Sequence, residues 1–137
     1  MDIEQHYIDL YKVMHQDKKN YQGVSLHKET PNIANIVMET NSQTVLDYGC
    51  GKGNQYIESH LNILFHISDD NIFMYDPGFK EHSKLPDRKF DGVISTDTSL
   101  VHLSNNLGVK TYTLLTTGCE WRWTKDKYTK WYPDNVL

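Results

Sequence analysis

A short apolar run that ends in a glycine-rich turn constrains this chain more than any other feature. Residues 44–47 form the run, and Gly49, Gly51 and Gly53 follow at alternate positions. Glycine reaches positive φ at little steric cost and lets another group approach the backbone closely. The apolar residues of 54–65 then recur at helical spacing. The segment therefore predicts a strand, a tight turn and a helix, in that order.

The same alternation of strand-like and helix-like patterns extends over the rest of the chain. Residues 1–42 have the spacing of two helices, the second beginning near Thr30 and Pro31, where a cap precedes a proline in the first turn. Short apolar runs predict further strands at 72–75, 92–95 and 110–115, with a helix over 98–107 between the last two. Because parallel neighbours need crossover connections, this order predicts an α/β fold with a mostly parallel sheet.

Composition limits the class of protein. The chain has 137 residues, enough for one domain, and a net charge of −4, which argues against binding nucleic acid by bulk phosphate neutralisation. No apolar run approaches the length of a membrane span, and the acidic N-terminus lacks the apolar core of a signal peptide. Two cysteines distant in sequence favour a reducing compartment. We expect a cytoplasmic protein with no membrane partner and no nucleic-acid partner.

Asp76 ends the predicted second strand, at the edge of the sheet where open parallel sheets bind ligands. The glycine spacing departs from both the phosphate loop GxxxxGK[ST] and the dinucleotide motif GxGxxG. The pattern Asp47-x-Gly-x-Gly-x-Gly instead resembles the first motif of class I S-adenosylmethionine-dependent methyltransferases. Over residues 1–97 the resemblance is closest to small phage and marine-bacterial members, with VLDYGCGKG, YDPG and FDGVIST as the matching segments.

This resemblance implies a Rossmann-like three-layer sandwich with N-terminal helices and, in a chain this short, a truncated sheet. It implies that the glycine turn faces the methionine part of S-adenosylmethionine and that Asp76 accepts hydrogen bonds from the ribose hydroxyls. Cys50 is expected to pack near the cofactor and not to act as a nucleophile. The cofactor-binding residues so predicted are Asp47, Gly49, Cys50, Gly51, Gly53, Asp76 and Asp97. The methyl acceptor and the catalytic residues are unknown.

Residues 98–137 follow a different pattern. The segment from Asp97 and Thr98 to His102 resembles the C-terminal region of heptosyltransferase-family glycosyltransferases, particularly those attached to tetratricopeptide repeats. There such a segment opens a helix beside the diphosphate of a nucleotide sugar, which suits a helix N-terminus. We interpret the chain as a fusion, natural or generated by sequence assembly, joined within residues 93–97.

The predicted organisation is one Rossmann-like domain. Residues 1–42 form a helical cover, 43–97 the methyltransferase-like half, and 98–137 a glycosyltransferase-like βα unit with an aromatic tail. Residues 92–95 are expected to form a central strand buried on both faces. Asp97 is then expected to project toward the same crevice as Gly49 and Asp76.

Three functions stay open at this point. The leading one is an S-adenosylmethionine-dependent methyltransferase, which makes the chain a transferase. The second is a glycosyltransferase-related fragment that recognises a nucleotide diphosphate through Asp97, Thr98 and His102. The third is a non-catalytic remnant. The seven histidines show neither HxH nor HExxH spacing, so no metal site is predicted.

Overall fold

A computed structural model of the chain describes residues 3–95 and 99–113. The chain divides into two compact units, Met1–Ser95 and Thr96–Leu137. The helices are α1 (Ile3–Gln16), α2 (Thr30–Glu39), α3 (Asn54–Glu58), α4 (Leu61–Leu64) and α5 (Ser99–Asn106), and the strands are β1 (Val45–Tyr48), β2 (Ile72–Tyr75) and β3 (Gly92–Ile94). No described helix is long and apolar enough to span a membrane.

The first unit contains a three-stranded parallel sheet in the order β2-β1-β3. Val45 of β1 lies opposite Ile72 of β2 and Gly92 of β3, and the register continues along all three strands. Because the strands are parallel and the chain alternates between helix and strand, the predicted mixed α/β fold is confirmed. The two predicted N-terminal helices and the strands at 72–75 and 92–95 are also found, within one residue or two of their predicted limits.

One face of the sheet carries the core. Val45 is fully buried there, and Ile72, Met74 and Ile94 pack against the same cluster. This is the period of two expected of strands, because alternate side chains share a face. The helices and loops that complete the cluster contribute Ile33, Ala34, Val37, Tyr56, Leu61, Phe65 and Ile67.

The predicted single helix over residues 54–65 is wrong, because it is broken into α3 and α4. His60 lies between them with a φ of 49°, in the left-handed region that no α-helix accommodates. The break allows Leu61 and Phe65 to become fully buried. The spacing already contained a hint, since Tyr56 and Leu61 are five residues apart and so do not share one helical face.

Strand β3 corrects a second prediction. It lies at an edge of the sheet that the described residues form, with β1 in the centre. Val93 is 55% exposed, so β3 is not buried on both faces as expected. Ile94 alone of its two large apolar residues packs against the core. An apolar pair in sequence does not reveal whether both faces of a strand are covered, which depends on the rest of the fold.

The second unit is described from residue 99 to 113. Helix α5 ends in a left-handed turn at Gly108, whose φ is 71°, and the amide of Val109 donates to the carbonyl of Ser104. The predicted helix over 98–107 is confirmed over Ser99–Asn106. Of the strand predicted for 110–115, the described residues 110–113 show a single bridge residue, Tyr112. Residues 114 and 115 and the aromatic tail lie outside the described residues.

Candidate ligand site at the carboxyl ends of β1 and β2

The glycine turn (residues 49–53) leaves the central strand at the point where the strand order reverses. From β1 the chain crosses to β2 on one side and later to β3 on the other. The crevice outside the carboxyl end of such a strand is where open α/β sheets bind ligands. Gly49, Gly51 and Gly53 all have positive φ, of 90°, 60° and 65°. The turn therefore has the position and the backbone conformation that its sequence predicts.

Gly49 is the most open of these positions. A Cβ atom built on Gly49 would meet no heavy atom within 4 Å, whereas one built on Gly51 would lie 3.3 Å from Cε1 of His15. A Cβ on Gly53 would collide with the sulfur of Met74. The three glycines thus differ in what they allow. Gly53 makes room for the core, Gly51 makes room for α1, and Gly49 faces space that a ligand can enter.

Asp76 closes the turn from the neighbouring strand. Its Oδ2 accepts a hydrogen bond from the amide of Gly51 at 3.0 Å, and its Oδ1 accepts one from the amide of Gly78 at 2.8 Å. The residue is only 8% exposed. A carboxylate so far buried requires hydrogen-bond partners, because an unpaired buried charge is costly. The structure therefore brings together the glycine turn and the acidic residue that the sequence singled out separately.

The backbone of β2 completes the junction between turn and strand. The carbonyl of Tyr75 accepts from the amides of Gly49 and Cys50 at 2.8 and 3.2 Å. The amide of Gly53 donates to the carbonyl of Cys50. These amides and that of Gly51 are all satisfied within the protein, so they do not form the open amide cradle of a phosphate-binding loop.

Asp47 lies in the interior behind the turn. It is 4% exposed, and its Oδ2 accepts hydrogen bonds from Nε2 of Gln55 at 3.0 Å and from the hydroxyl of Tyr56 at 2.9 Å. Burial raises the pKa of Asp47 to about 6, although both hydrogen bonds act in the opposite direction. The two hydrogen bonds of Asp47 thus link β1 to α3 on the interior side of the turn. Sequence reasoning missed Gln55 and Tyr56 as its partners.

Cys50 is buried next to these two carboxylates. Burial, together with the charges of Asp47 and Asp76, raises the pKa of its thiol to about 12. A thiol with so high a pKa is protonated at neutral pH and is a poor nucleophile. The environment of Cys50 is therefore that of a packing residue.

The segment between α1 and α2 is tied to the outer side of the turn. Nζ of Lys52 donates to the carbonyl of Tyr21 at 2.7 Å, Nδ2 of Asn54 donates to the carbonyl of Gln22 at 2.7 Å, and the amide of Gln55 donates to the carbonyl of Gly23 at 3.1 Å. The N-terminal residues thus contact the site as well as the core. Sequence periodicity carries no signal for these backbone contacts.

Helix α1 supplies a residue that sequence reasoning missed. Nε2 of His15 donates to Oδ1 of Asp76 at 3.3 Å, and its ring meets that of Phe79 edge-on, with the centroids 5.6 Å apart. His15 and Asp76 are separated by 61 positions, so no local pattern connects them.

The remaining predicted residues do not belong to the described part of the first unit. Asp97 and Thr98 lie outside the described residues, and His102 lies half-buried on α5 in the second unit. Within 3–95 and 99–113, no group of three or more histidine, cysteine, aspartate or glutamate residues is placed to hold a metal ion.

No family model, no curated protein and no solved structure matches the chain significantly.

Proposed function

We propose that the chain binds S-adenosylmethionine at the glycine turn and Asp76, and that it is a methyltransferase of the Rossmann-like class I type. The observation that carries this proposal is the hydrogen bond from the amide of Gly51 to the carboxylate of Asp76 at the switch point of the sheet. This hydrogen bond joins the glycine turn to Asp76, and these two elements carry the resemblance to class I methyltransferases. The finer assignment as a three-layer Rossmann-like sandwich belongs to this proposal and rests on the same residues.

The residues present fit such a ligand. Gly49 faces open space, so a ligand can lie against the backbone of the turn. The carboxylate of Asp76 suits the two hydroxyls of a ribose, because it accepts several hydrogen bonds at once. S-adenosylmethionine, when bound, supplies a sulfonium methyl group for in-line attack by a nucleophile. The part of this chain would be to orient the ribose through Asp76 and to hold the methionine end along the glycine turn.

Charge favours this ligand over a nucleotide diphosphate. Two carboxylates, Asp47 and Asp76, lie beside the turn, and both disfavour an anion while favouring a sulfonium. The four turn amides described above are already bonded to protein oxygens. A diphosphate would therefore find negative charge and few free donors. The glycosyltransferase alternative retains only Asp97, Thr98 and His102, and no described contact favours it.

Titration calorimetry tests the proposal. We expect saturable binding of S-adenosylhomocysteine and none of uridine diphosphate. Binding of uridine diphosphate alone would favour the glycosyltransferase alternative, and binding of neither would favour a non-catalytic remnant.

Gly49→Ala locates the site. It places a methyl group in the open space beside the turn and is expected to weaken S-adenosylhomocysteine binding. Gly108→Ala is the matched control, because Gly108 also has positive φ and open surroundings, so both substitutions carry a similar strain of about 1–2 kcal/mol. Gly51 is less suitable, since any side chain there also presses on His15. Equal affinities of Gly49→Ala and Gly108→Ala would contradict the site assignment.

A further inference from the structure

Helix α1 lies on the loop that carries Asp76. Tyr11 packs directly on Gly78, where a Cβ atom would collide with the Cβ of Tyr11. His15, one helical turn further on and on the same face, donates to Asp76. The two contacts place the end of α1 over the carboxylate and over Gly51.

The rest of α1 is weakly held. None of its described side chains, from Glu4 to Gln16, is buried, and Tyr7, Leu10 and Val13 are exposed. In contrast, α2 buries Ile33, Ala34 and Val37 in the core. A helix of this length is only marginally stable without packing, and segments with few buried contacts open at low cost. Few contacts of the core would therefore be lost if α1 were displaced.

The number of hydrogen bonds that Asp76 can accept links the position of α1 to ligand binding. A carboxylate offers about four acceptor positions. The amides of Gly51 and Gly78 use two, and His15 uses a third. A ribose presents two adjacent hydroxyl donors, and the single acceptor position that remains on Asp76 can bind only one of them. The two backbone amides belong to the turn and the loop themselves, whereas the imidazole belongs to the weakly held helix.

We infer that α1 is a displaceable cap, and that His15 occupies the acceptor position on Asp76 which a ribose hydroxyl of the ligand takes. This inference rests on the proposed function, because it concerns the same carboxylate. The carboxylate of Asp76 then cannot accept hydrogen bonds from His15 and from both ribose hydroxyls at the same time. The apparent affinity for the ligand is reduced by the fraction of molecules in which the cap is closed.

Matched alanine variants of two histidines on α1 test the inference. His15→Ala removes the contact with Asp76, whereas His6→Ala removes an exposed histidine from the same helix. Both substitutions raise helix propensity by the same amount, so the difference between them reports the contact. His15→Gln retains a side-chain donor and is expected to behave between His15→Ala and the parent.

Two measurements are needed. Hydrogen exchange without ligand is expected to show the amides of α1 exchanging roughly three to ten times faster in His15→Ala than in the parent or His6→Ala, as loss of one hydrogen bond implies. Calorimetry is expected to show S-adenosylhomocysteine binding His15→Ala about three to ten times more tightly than the parent. Addition of this ligand to the parent is expected to speed exchange in α1.

The outcomes separate the two proposals. Unchanged exchange in α1 of His15→Ala would overturn the cap, with or without a ligand. Equal affinity of the parent and His15→Ala, or slower exchange of α1 in the bound parent, would overturn the competition while leaving the proposed function standing. Absence of binding by every variant, with faster exchange in His15→Ala, would overturn the proposed function.

Discussion

The two ends of the small sheet carry aspartates in opposite surroundings. At the amino end, Asp91 precedes β3 and its exposed carboxylate accepts from the amide and the hydroxyl of Thr44, both at 2.9 Å. At the carboxyl end, Asp47 and Asp76 are buried beside the glycine turn. The hydrogen bonds from Thr44 and the amide of Gln43 lower the pKa of Asp91, whereas burial raises the pKa of Asp47.

This difference suggests different roles for the two ends: the amino end stabilises the fold, and the carboxyl end is the candidate ligand site. Fastening one strand to the next requires no buried charge, as Asp91 and Thr44 demonstrate. Buried carboxylates oppose folding when ionised, and groups with perturbed pKa values concentrate at functional sites. At the carboxyl end the buried Asp47 and Cys50 have raised pKa values, which supports the proposal that the ligand binds there. The following predictions test this contrast.

Asp47→Asn is expected to have the largest effect, and the effect depends on pH. The pKa of Asp47 is about 6 in the folded chain and near 3.8 when unperturbed. Between these values the folded chain binds the proton more tightly, so the free energy of unfolding falls as the pH rises from about 4 to about 6, by about 3 kcal/mol in total. Asparagine retains an oxygen acceptor for Gln55 and Tyr56 and removes the charge.

Urea denaturation near pH 4 and near pH 7 measures this effect. The variant is expected to match the parent at the acidic pH and to be more stable by up to about 3 kcal/mol at neutral pH. Asp91→Asn is the control with the opposite sign, because the pKa of Asp91 is lowered and its stabilisation is lost as the pH falls. Parallel pH profiles of Asp47→Asn and the parent would show that the buried charge costs nothing.

Asp76→Asn compared with Asp91→Asn tests the functional side of the contrast. Each variant loses a carboxylate that accepts backbone amides beside a strand. Only Asp76→Asn is expected to weaken binding of S-adenosylhomocysteine, by about 10- to 100-fold, the size of a hydrogen bond to a charged group. Calorimetry at neutral pH measures the affinities, and circular dichroism verifies that both variants are folded. A similar loss in the two variants would assign the effect to stability instead of recognition.

Neighbouring residues of β3 provide the smallest effect. Ile94 packs against the core and Val93 is largely exposed. We expect Ile94→Ala to lower the free energy of unfolding by about 1–2 kcal/mol and Val93→Ala to change it by less than about 0.5 kcal/mol. Urea denaturation of both variants measures the difference. Equal losses would indicate that β3 is covered on both faces, as the sequence predicted.

Local features were predictable because each depends on a few adjacent residues. The strand that contains Asp47, the positive φ of the three turn glycines, and the glycine stop after α5 follow from residue type and spacing alone. The break at His60 was missed, because the spacing of apolar residues does not reveal that a single residue adopts the left-handed backbone conformation.

The sequence by itself determined the order of strand, glycine turn and helix and the acidic residue after β2, because backbone preferences and side-chain chemistry belong to each residue. Only the tertiary structure decided that Asp47 is buried against Gln55 and Tyr56, that β3 takes an edge, and that His15 contacts Asp76 across 61 positions. These outcomes depend on how distant segments share space in a packed core. The sequence around an aspartate does not specify how deeply the packing buries its carboxylate or which distant side chains contact it.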